Sequence, residues 1–193
     1  MASLSFDDEY ADWQRPAGIF VLGLIAGPAA TVIHELQLRN DPKLARAFPP
    51  HITLAGSSGV GPIRAGTPSD IIERALAPVA ESTPPLPLVF GPAQRFMQTE
   101  IISLPLDPHG TLRRLHDRIA RSGLAFGPVR YTFTPHVTLN LYRTLIPSAQ
   151  RALLAVRLQE EAVLDRLVVS VSDEAGRARR VMEMGLTPHP RTL

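Results

Sequence analysis

Apolar residues occur along the chain in two patterns, short continuous runs and helical stripes. The run from Ile19 to Ile25 ends at Gly27-Pro28, which is typical of a buried strand, and a helix is predicted to follow. Farther along, Thr67-Pro68-Ser69-Asp70 has the residue types that cap and begin a helix. The buried stripe predicted for this helix comprises Ile71, Ile72, Ala75, Leu76 and Val79. The pattern therefore predicts a fold that mixes helices and strands.

The predicted elements follow the same order in each half of the chain. The first half is predicted to contain a helix at Ala29 to Arg39, a strand from Pro50 and a helix from Thr67. Two strands are predicted to follow, at Leu86 to Phe90 and at Glu100 to Leu106. The second half is predicted to repeat this order, with a helix at Gly110 to Arg121, a strand from Thr134, a helix at Pro147 to Gln159, and strands at Val163 to Val171 and Arg180 to Leu186. The last two strands of the first half are expected to form a hairpin. An internal duplication is the simplest explanation of this repeated order.

The duplication predicts an α/β fold of the α+β type. We expect a bilobal, pseudo-two-fold arrangement in which two mostly antiparallel sheets carry outer helices and flank a central cleft. Residues 1–16 are acidic and are interpreted as an N-terminal extension, and residues 17–193 are predicted to form a single domain of two pseudo-symmetric lobes. A length of 193 residues suits one such domain.

One short motif occurs in both halves of the chain. Pro-His-Ile-Thr-Leu occupies residues 50–54, and Pro-His-Val-Thr-Leu occupies residues 135–139. Because side chains alternate between the two faces of a strand, His51 and Thr53 should share one face, and His136 and Thr138 should do the same. If a two-fold relates the lobes, these polar faces meet across one cleft.

Two imidazoles and two hydroxyls in one cleft suit phosphodiester chemistry. A neutral imidazole can take a proton from water, and a protonated one can give a proton to the leaving oxygen, since the pKa of histidine lies near neutrality. Threonine hydroxyls can donate hydrogen bonds to the non-bridging phosphate oxygens. Nothing in this chemistry requires a metal or another cofactor.

Composition narrows the alternatives without naming a substrate. The chain has no cysteine, which excludes disulfides, thiolate nucleophiles and cysteine-ligated zinc. Net charge is only +2, and nearly all basic residues are arginine, so the charge is weak evidence for a nucleic-acid partner. No apolar run approaches the roughly 20 residues that span a bilayer, and the polar N-terminus is unlike a signal peptide. These features predict a cytoplasmic protein that does not bind membranes.

With the motifs HITL and HVTL, the chain resembles the two-histidine (2H) phosphoesterase superfamily, which includes bacterial 2'-5' RNA ligase-like proteins and cyclic phosphodiesterases. The resemblance extends over about Ala17 to Leu186. It implies the bilobal fold, a metal-independent mechanism and substrates with 2',3'-cyclic or 2'-5' phosphate linkages. It also implies that His51 and His136 are the acid–base pair and that Thr53 and Thr138 bind the phosphate.

The leading interpretation is a hydrolase that opens 2',3'-cyclic phosphates of RNA ends or nucleotides, acting as a monomer without an obligate protein partner. Two alternatives remain open. One is hydrolysis or ligation of 2'-5' linkages in oligonucleotides or cyclic dinucleotides, and the other is non-catalytic binding of RNA or nucleotides. Because hydrolysis and ligation use the same groups in opposite directions, the motif does not separate them.

Residues after the second motif are further candidates for substrate contact. RNA-processing relatives often place an arginine or tyrosine there, and this chain continues Asn140-Leu141-Tyr142-Arg143. Strict alternation would place Tyr142 on the His136 face unless a bulge intervenes, so Tyr142 and Arg143 both remain candidates. The glycine-rich segment Gly56 to Gly66 lacks a Walker pattern and is predicted to be a flexible loop beside the cleft. His34, His109, His116 and His189 are interpreted as structural or surface residues.

Overall fold

The computed structural model describes residues 18–96, 99–172 and 178–187. Its strands are Gly18–Ala26 (β1), His51–Ala55 (β2), Leu86–Leu88 (β3), Gln94–Arg95 (β4), Ile102–Pro105 (β5), His136–Asn140 (β6), Ala162–Ser172 (β7) and Ala178–Gly185 (β8). Its helices are Pro28–Asn40 (α1), Pro42–Ala47 (α2), Ser69–Glu81 (α3), Gly110–Ala120 (α4) and Pro147–Leu154 (α5).

The strands form two sheets of unequal size. The larger sheet has the order β2-β1-β7-β3, with β8 also pairing with β7, and the smaller sheet has the order β4-β5-β6. All of these pairings are antiparallel. The predicted α+β class with two antiparallel sheets is therefore confirmed. The strands β7 and β8, from the second half of the chain, complete the sheet that β1 begins.

Helices pack across the two sheets and hold the His-containing strands near each other. Helix α1 contacts β1 in the larger sheet and β6 in the smaller one. Helix α4, which follows β5 of the smaller sheet, contacts β2 in the larger one. Strands β2 and β6 also contact each other directly. The apolar residues between the motif histidines and threonines lie in the core, since Ile52, Leu54, Val137 and Leu139 are fully buried. Burial of these four side chains stabilises the strands in the register that turns the polar residues outward.

The connection between α1 and β2 contains a helix that the sequence analysis did not predict. Helix α1 ends at Asn40, as the following Asp41-Pro42 indicates, and α2 begins immediately at Pro42. The Asp41 carboxylate accepts a hydrogen bond from Leu44 N at 3.1 Å, which is a standard N-terminal cap. Proline at the first position of α2 suits a helix start. This helix brings Leu44 to the cleft described below.

The predicted hairpin between residues 86–90 and 100–106 is wrong. Strand β3 pairs with β7 in the larger sheet, whereas β5 pairs with β4 and β6 in the smaller one. A single isolated bridge between Phe90 and Leu106 is the only pairing recorded between the two described segments. Both segments are short apolar runs, and pairing between such runs depends on distant strands that local sequence does not specify.

Three details of the predicted helices also differ. Thr67 does not cap α3, because its hydroxyl donates to Arg64 O at 2.7 Å and Pro68 occupies the cap position. Ile71 is 40% exposed and does not belong to the buried stripe. Helix α5 ends at Leu154 and not near residue 159, and the guanidinium of Arg157 donates to Leu154 O at 3.0 Å. A basic side chain bound to the final carbonyl groups favours this termination.

The glycine-rich segment, which was predicted to be a flexible loop beside the cleft, is hydrogen-bonded to the second half of the chain. Gly59 N donates to Tyr131 O at 2.8 Å, and Thr134 N donates to the Ser58 hydroxyl at 3.2 Å. Ile63 is fully buried. The segment therefore joins the region before β6 to the larger sheet.

Some sequence-based predictions lie outside the described residues. These are the N-terminal extension of residues 1–16 and the interpretation of His189 as a structural or surface residue. Across the described ranges, the longest helices are too short and too polar to cross a bilayer.

Candidate active site

The two motif histidines are held by the same local contact. Nδ1 of His51 lies 2.8 Å from Pro49 O, and Nδ1 of His136 lies 2.8 Å from Thr134 O. A carbonyl oxygen can only accept, so in each ring Nδ1 carries a proton and donates it. In the neutral ring Nε2 is then the basic nitrogen, and in the charged ring it is the second proton donor.

The proline before each histidine explains why this contact repeats. A residue that precedes proline is restricted to extended conformations, which applies to Pro49 and Thr134, whose carbonyls accept from the rings. The carbonyl of each motif proline joins the neighbouring strand region, since Ile25 N donates to Pro50 O at 3.1 Å and Leu106 N donates to Pro135 O at 3.0 Å. Because proline lacks an N–H, neither motif proline requires a backbone hydrogen-bond acceptor in the sheet.

Each motif also contains a bulge at the same position. Thr53 lies opposite Leu22 and Ala55 lies opposite Val21, so Leu54 is the extra residue of β2. In β6, Thr138 lies opposite Ser103 and Asn140 lies opposite Ile102, so Leu139 is the extra residue. A bulge interrupts the alternation of side chains, and the residue after each motif leucine is buried.

The structure brings both motifs to a single cleft. Its lining comprises Gln37, Leu44, His51, Thr53, His136, Thr138 and Leu141. The cleft contains about 330 Å³ of empty space, including open solvent at its mouth. The four residues selected from the sequence therefore lie together, as the paired motifs predicted. The lining adds one amide and two leucines that sequence analysis missed.

Aromatic rings pack against both histidines. The ring centroids of Phe48 and His51 are 5.4 Å apart in an edge-to-face arrangement, and those of Phe96 and His136 are 4.4 Å apart. Burial lowers the pKa of His136 below its ordinary value of 6.5, and the hydrogen bond to Thr134 O opposes only part of that effect. The neutral form of His136 is therefore favoured at neutral pH.

Gln37 on α1 and Asp41 between α1 and α2 shape the site. Gln37 Nε2 donates to Thr138 O at 2.8 Å, which links α1 to β6. The Asp41 carboxylate, 1% exposed, accepts from Leu141 N at 2.7 Å and from Tyr142 N at 2.6 Å. The only sequence signal for either was their place at the end of a predicted helix, which does not reveal contacts about 100 residues away.

Tyr142 and Arg143 lie in the turn after β6 and not in the strand, which ends at Asn140. Both side chains are exposed, and neither is among the described residues that line the cleft. Lys43 Nζ lies 4.3 Å from the centre of the Tyr142 ring. The carbonyl of Arg143 accepts a hydrogen bond from Asn140 Nδ2. Their neighbour Leu141 reaches the cleft, so a substrate contact by Tyr142 or Arg143 stays a prediction.

The other described histidines lie away from the cleft lining. His116 is 3% exposed, and its Nδ1 donates to Leu54 O at 2.8 Å while its ring stacks on Phe133 at 3.9 Å. Burial lowers its pKa below 6.5. His109 precedes α4 and is exposed. Within the described ranges, no three His, Asp or Glu side chains are grouped as ligands for a metal ion.

Comparison with known proteins places this site in a family. The family model of the 2'-5' RNA ligase superfamily matches residues 26–176, which include both motifs. The chain belongs to this superfamily. Membership confirms the resemblance to the 2H phosphoesterases that the paired motifs indicated.

A relative is similar over part of the chain, and solved structures share its fold. A Geobacillus kaustophilus protein with the provisional name phosphoesterase is 34% identical over 94 residues, which are 48% of this chain. The chain thus matches only about half of that relative's length, 51%. Two solved structures share the fold: the TT0787 protein of Thermus thermophilus at 13% identity and a TM-score of 0.57, and E. coli LigT complexed with phosphate at 16% identity and a TM-score of 0.55. These alignments cover 89% and 90% of this chain, and 99% of each solved chain.

Proposed function

We propose that the protein is a metal-independent phosphodiesterase that hydrolyses 2',3'-cyclic phosphates at RNA ends or on nucleotides. The observation that carries the proposal is the meeting of His51, Thr53, His136 and Thr138 in one cleft. Both rings have the same tautomer, held by a backbone carbonyl, so both present Nε2 for proton transfer. Superfamily membership supports a phosphate-containing substrate with a 2'-linked oxygen.

In this proposal His136 is the general base and His51 is the general acid. The lowered pKa of His136 favours the neutral ring that a base requires. Water attacks phosphorus as His136 Nε2 takes its proton, and His51 Nε2 gives a proton to the ribose oxygen that leaves. The hydroxyls of Thr53 and Thr138 donate to the two non-bridging oxygens, where negative charge is greatest.

The cleft combines polar residues that can hold a phosphate group with walls that are partly apolar. Leu44 and Leu141 line the same cleft and reduce the water around the reacting phosphate. A lower local dielectric strengthens each hydrogen bond to the charged oxygens. The small size of the cleft suits a phosphate and its ribose, with the rest of an RNA end outside it.

Turnover of a 2',3'-cyclic mononucleotide in excess EDTA tests the proposal. The wild-type protein should retain its rate in chelator, and His51→Ala and His136→Ala should each lower kcat by about 10²–10⁴-fold. His109→Ala is the matched control, because it removes an exposed histidine outside the cleft lining. A rate that both cleft substitutions leave unchanged would contradict the proposal.

A panel of substrates separates the proposed reaction from its relatives. The panel should include 2'-5' linked dinucleotides, cyclic dinucleotides and RNA with a 2',3'-cyclic end, with 2'- and 3'-phosphate products resolved by chromatography. Preferred cleavage of 2'-5' linkages would show that these linkages, and not cyclic phosphates, are the substrate, with the same residues forming the site. Tight binding without any product would instead support a non-catalytic binding protein.

A further inference from the structure

Gln37 is the one polar residue of the described cleft lining that the proposed mechanism does not use. It lies on α1 and is 2% exposed, although it lines the cleft beside both histidines. Its Nε2 donates to Thr138 O, and its Oε1 has no hydrogen-bond partner among the described residues. A buried amide oxygen without a partner costs about 1–3 kcal/mol, so it requires an explanation.

The orientation of the Gln37 amide follows from its partner. Thr138 O is a backbone carbonyl and can only accept, so the nitrogen of the amide must be the atom that faces it. The contact spans 101 positions in the chain and anchors the side chain to β6. Gln37 lines the cleft, and its amide oxygen is consequently a buried acceptor held in one orientation beside the strand that carries His136.

The reacting water needs two acceptors, and the proposed mechanism supplies one. Water has two protons; His136 Nε2 accepts the one that is transferred, and the other must point to an acceptor for the oxygen lone pair to face phosphorus. Among the remaining lining residues, His51 acts as a donor, and Leu44 and Leu141 have apolar side chains. The hydroxyls of Thr53 and Thr138 donate to the phosphate and keep lone pairs, but their positions are set by that phosphate contact. The unpartnered Oε1 of Gln37 has the required chemistry.

We propose that Gln37 Oε1 accepts the second proton of the attacking water and so orients this nucleophile toward phosphorus. The inference rests on the proposed hydrolysis of a cyclic phosphate. In the step, the bond between water oxygen and phosphorus forms while the bond from phosphorus to one ribose oxygen breaks. One water proton moves to His136, the other stays on the new phosphate hydroxyl, and His51 protonates the ribose oxygen. Gln37 exchanges no proton.

Gln37→Met tests this role because it keeps the approximate length of the side chain and removes the acceptor. We expect kcat to fall on the order of 10-fold, the value of one hydrogen bond of about 1.4 kcal/mol. Affinity for the product, the nucleoside 2'- or 3'-monophosphate that the substrate panel identifies, is measured by calorimetry and should change by less than about twofold, because the product has no attacking water. If the substitution instead displaced Thr138, product affinity would fall together with kcat, because the Thr138 hydroxyl holds the phosphate.

Competition between water and methanol gives a second readout. Methanol has a single hydroxyl proton, which His136 accepts, so it does not need Gln37. The ratio of methyl diester to hydrolysis product in a methanol–water mixture should therefore rise in Gln37→Met by up to about 10-fold. If neither protein forms methyl diester, the comparison of kcat with product affinity decides alone.

The matched control is His116→Leu. His116 makes the corresponding bond from α4 to the other motif strand, with Nδ1 donating to Leu54 O, but it does not belong to the described cleft lining. Its substitution should change thermal stability and leave the product ratio within about twofold of wild type. If this variant does not fold, Gln150→Met serves the same purpose, because it makes the same exchange of glutamine for methionine on α5, outside the described cleft lining.

Two results would overturn the inference while leaving the proposed function intact. The first is a Gln37→Met protein with wild-type kcat, and the second is a loss of kcat matched by an equal loss of product affinity at an unchanged product ratio. By contrast, a wild-type protein that turns over no cyclic phosphate would refute the proposed function itself.

Discussion

Removing the carboxylate of Asp41 should destabilise the protein more than any exposed charge would. Asp41 is 1% exposed, and its oxygens accept from Leu44 N at 3.1 Å, Leu141 N at 2.7 Å and Tyr142 N at 2.6 Å. Loss of the helix cap costs about 1 kcal/mol, and each buried N–H left without a partner costs about 1–3 kcal/mol. Asp41→Ala should therefore lower the free energy of unfolding by about 3–7 kcal/mol.

Urea denaturation followed by circular dichroism measures this loss. A domain of this size has about 5–15 kcal/mol of stability in total, so Asp41→Ala could be unfolded at 37 °C. Asp70→Ala is the matched control, because Asp70 forms only an exposed pair with Arg74 on α3 and should change stability by less than about 1 kcal/mol. A loss below about 1 kcal/mol for Asp41→Ala, or equal losses for both variants, would refute this account of the contact between α2 and the end of β6.

Three further predictions concern pH and packing. If His136 is the base, the acidic limb of kcat/KM should lie below pH 6.5, and Phe96→Ala, which exposes the ring to water, should move it upward; an unmoved limb would contradict a pKa set by burial. Because the folded-state pKa of His116 lies below its unfolded value near 6.5, the unfolded state binds more protons there, so stability should fall as pH drops through 6.5 toward the folded pKa. His116→Asn should show a smaller fall in Tm between pH 7.5 and 5.5 than wild type. An equal fall would argue against this residue as a source of the pH dependence of stability. Gly59→Ala should cost about 1–3 kcal/mol, since Gly59 has φ +74° and an added Cβ would overlap the His116 ring. Gly66→Ala is its control in a Tm measurement, because φ is similar at +81° and no described atom lies within 4 Å of the added Cβ, so equal losses would assign the effect to backbone strain alone.

The candidate site was largely predictable because its decisive residues lie in two short, repeated stretches. Alternation along a strand is a local rule, and it correctly placed His51 with Thr53 and His136 with Thr138 over buried aliphatic residues. The rule failed just beyond each motif. The bulge at Leu139 breaks the alternation, and the strand ends before Tyr142, so local pattern could not decide which later residue faces the cleft.

Contacts between distant segments were not predictable in the same way. Sequence analysis joined the strands near residues 88 and 103 as a hairpin, whereas β3 and β5 belong to different sheets. It also gave no role to Gln37 or Asp41, whose partners lie about 100 positions away. Helical periodicity assigns such residues to a buried face, but it does not identify which strand they meet there.

The amino-acid sequence by itself determined the two strands that carry the histidines and the helices with a regular apolar stripe. These features depend on backbone preferences and on side-chain periods within a few residues. Tertiary structure alone decided the pairing of β7 with β1, the placement of Gln37 in the cleft wall and the burial that lowers the pKa of His136. Those outcomes depend on which distant surfaces exclude water from one another, and no local pattern encodes that choice.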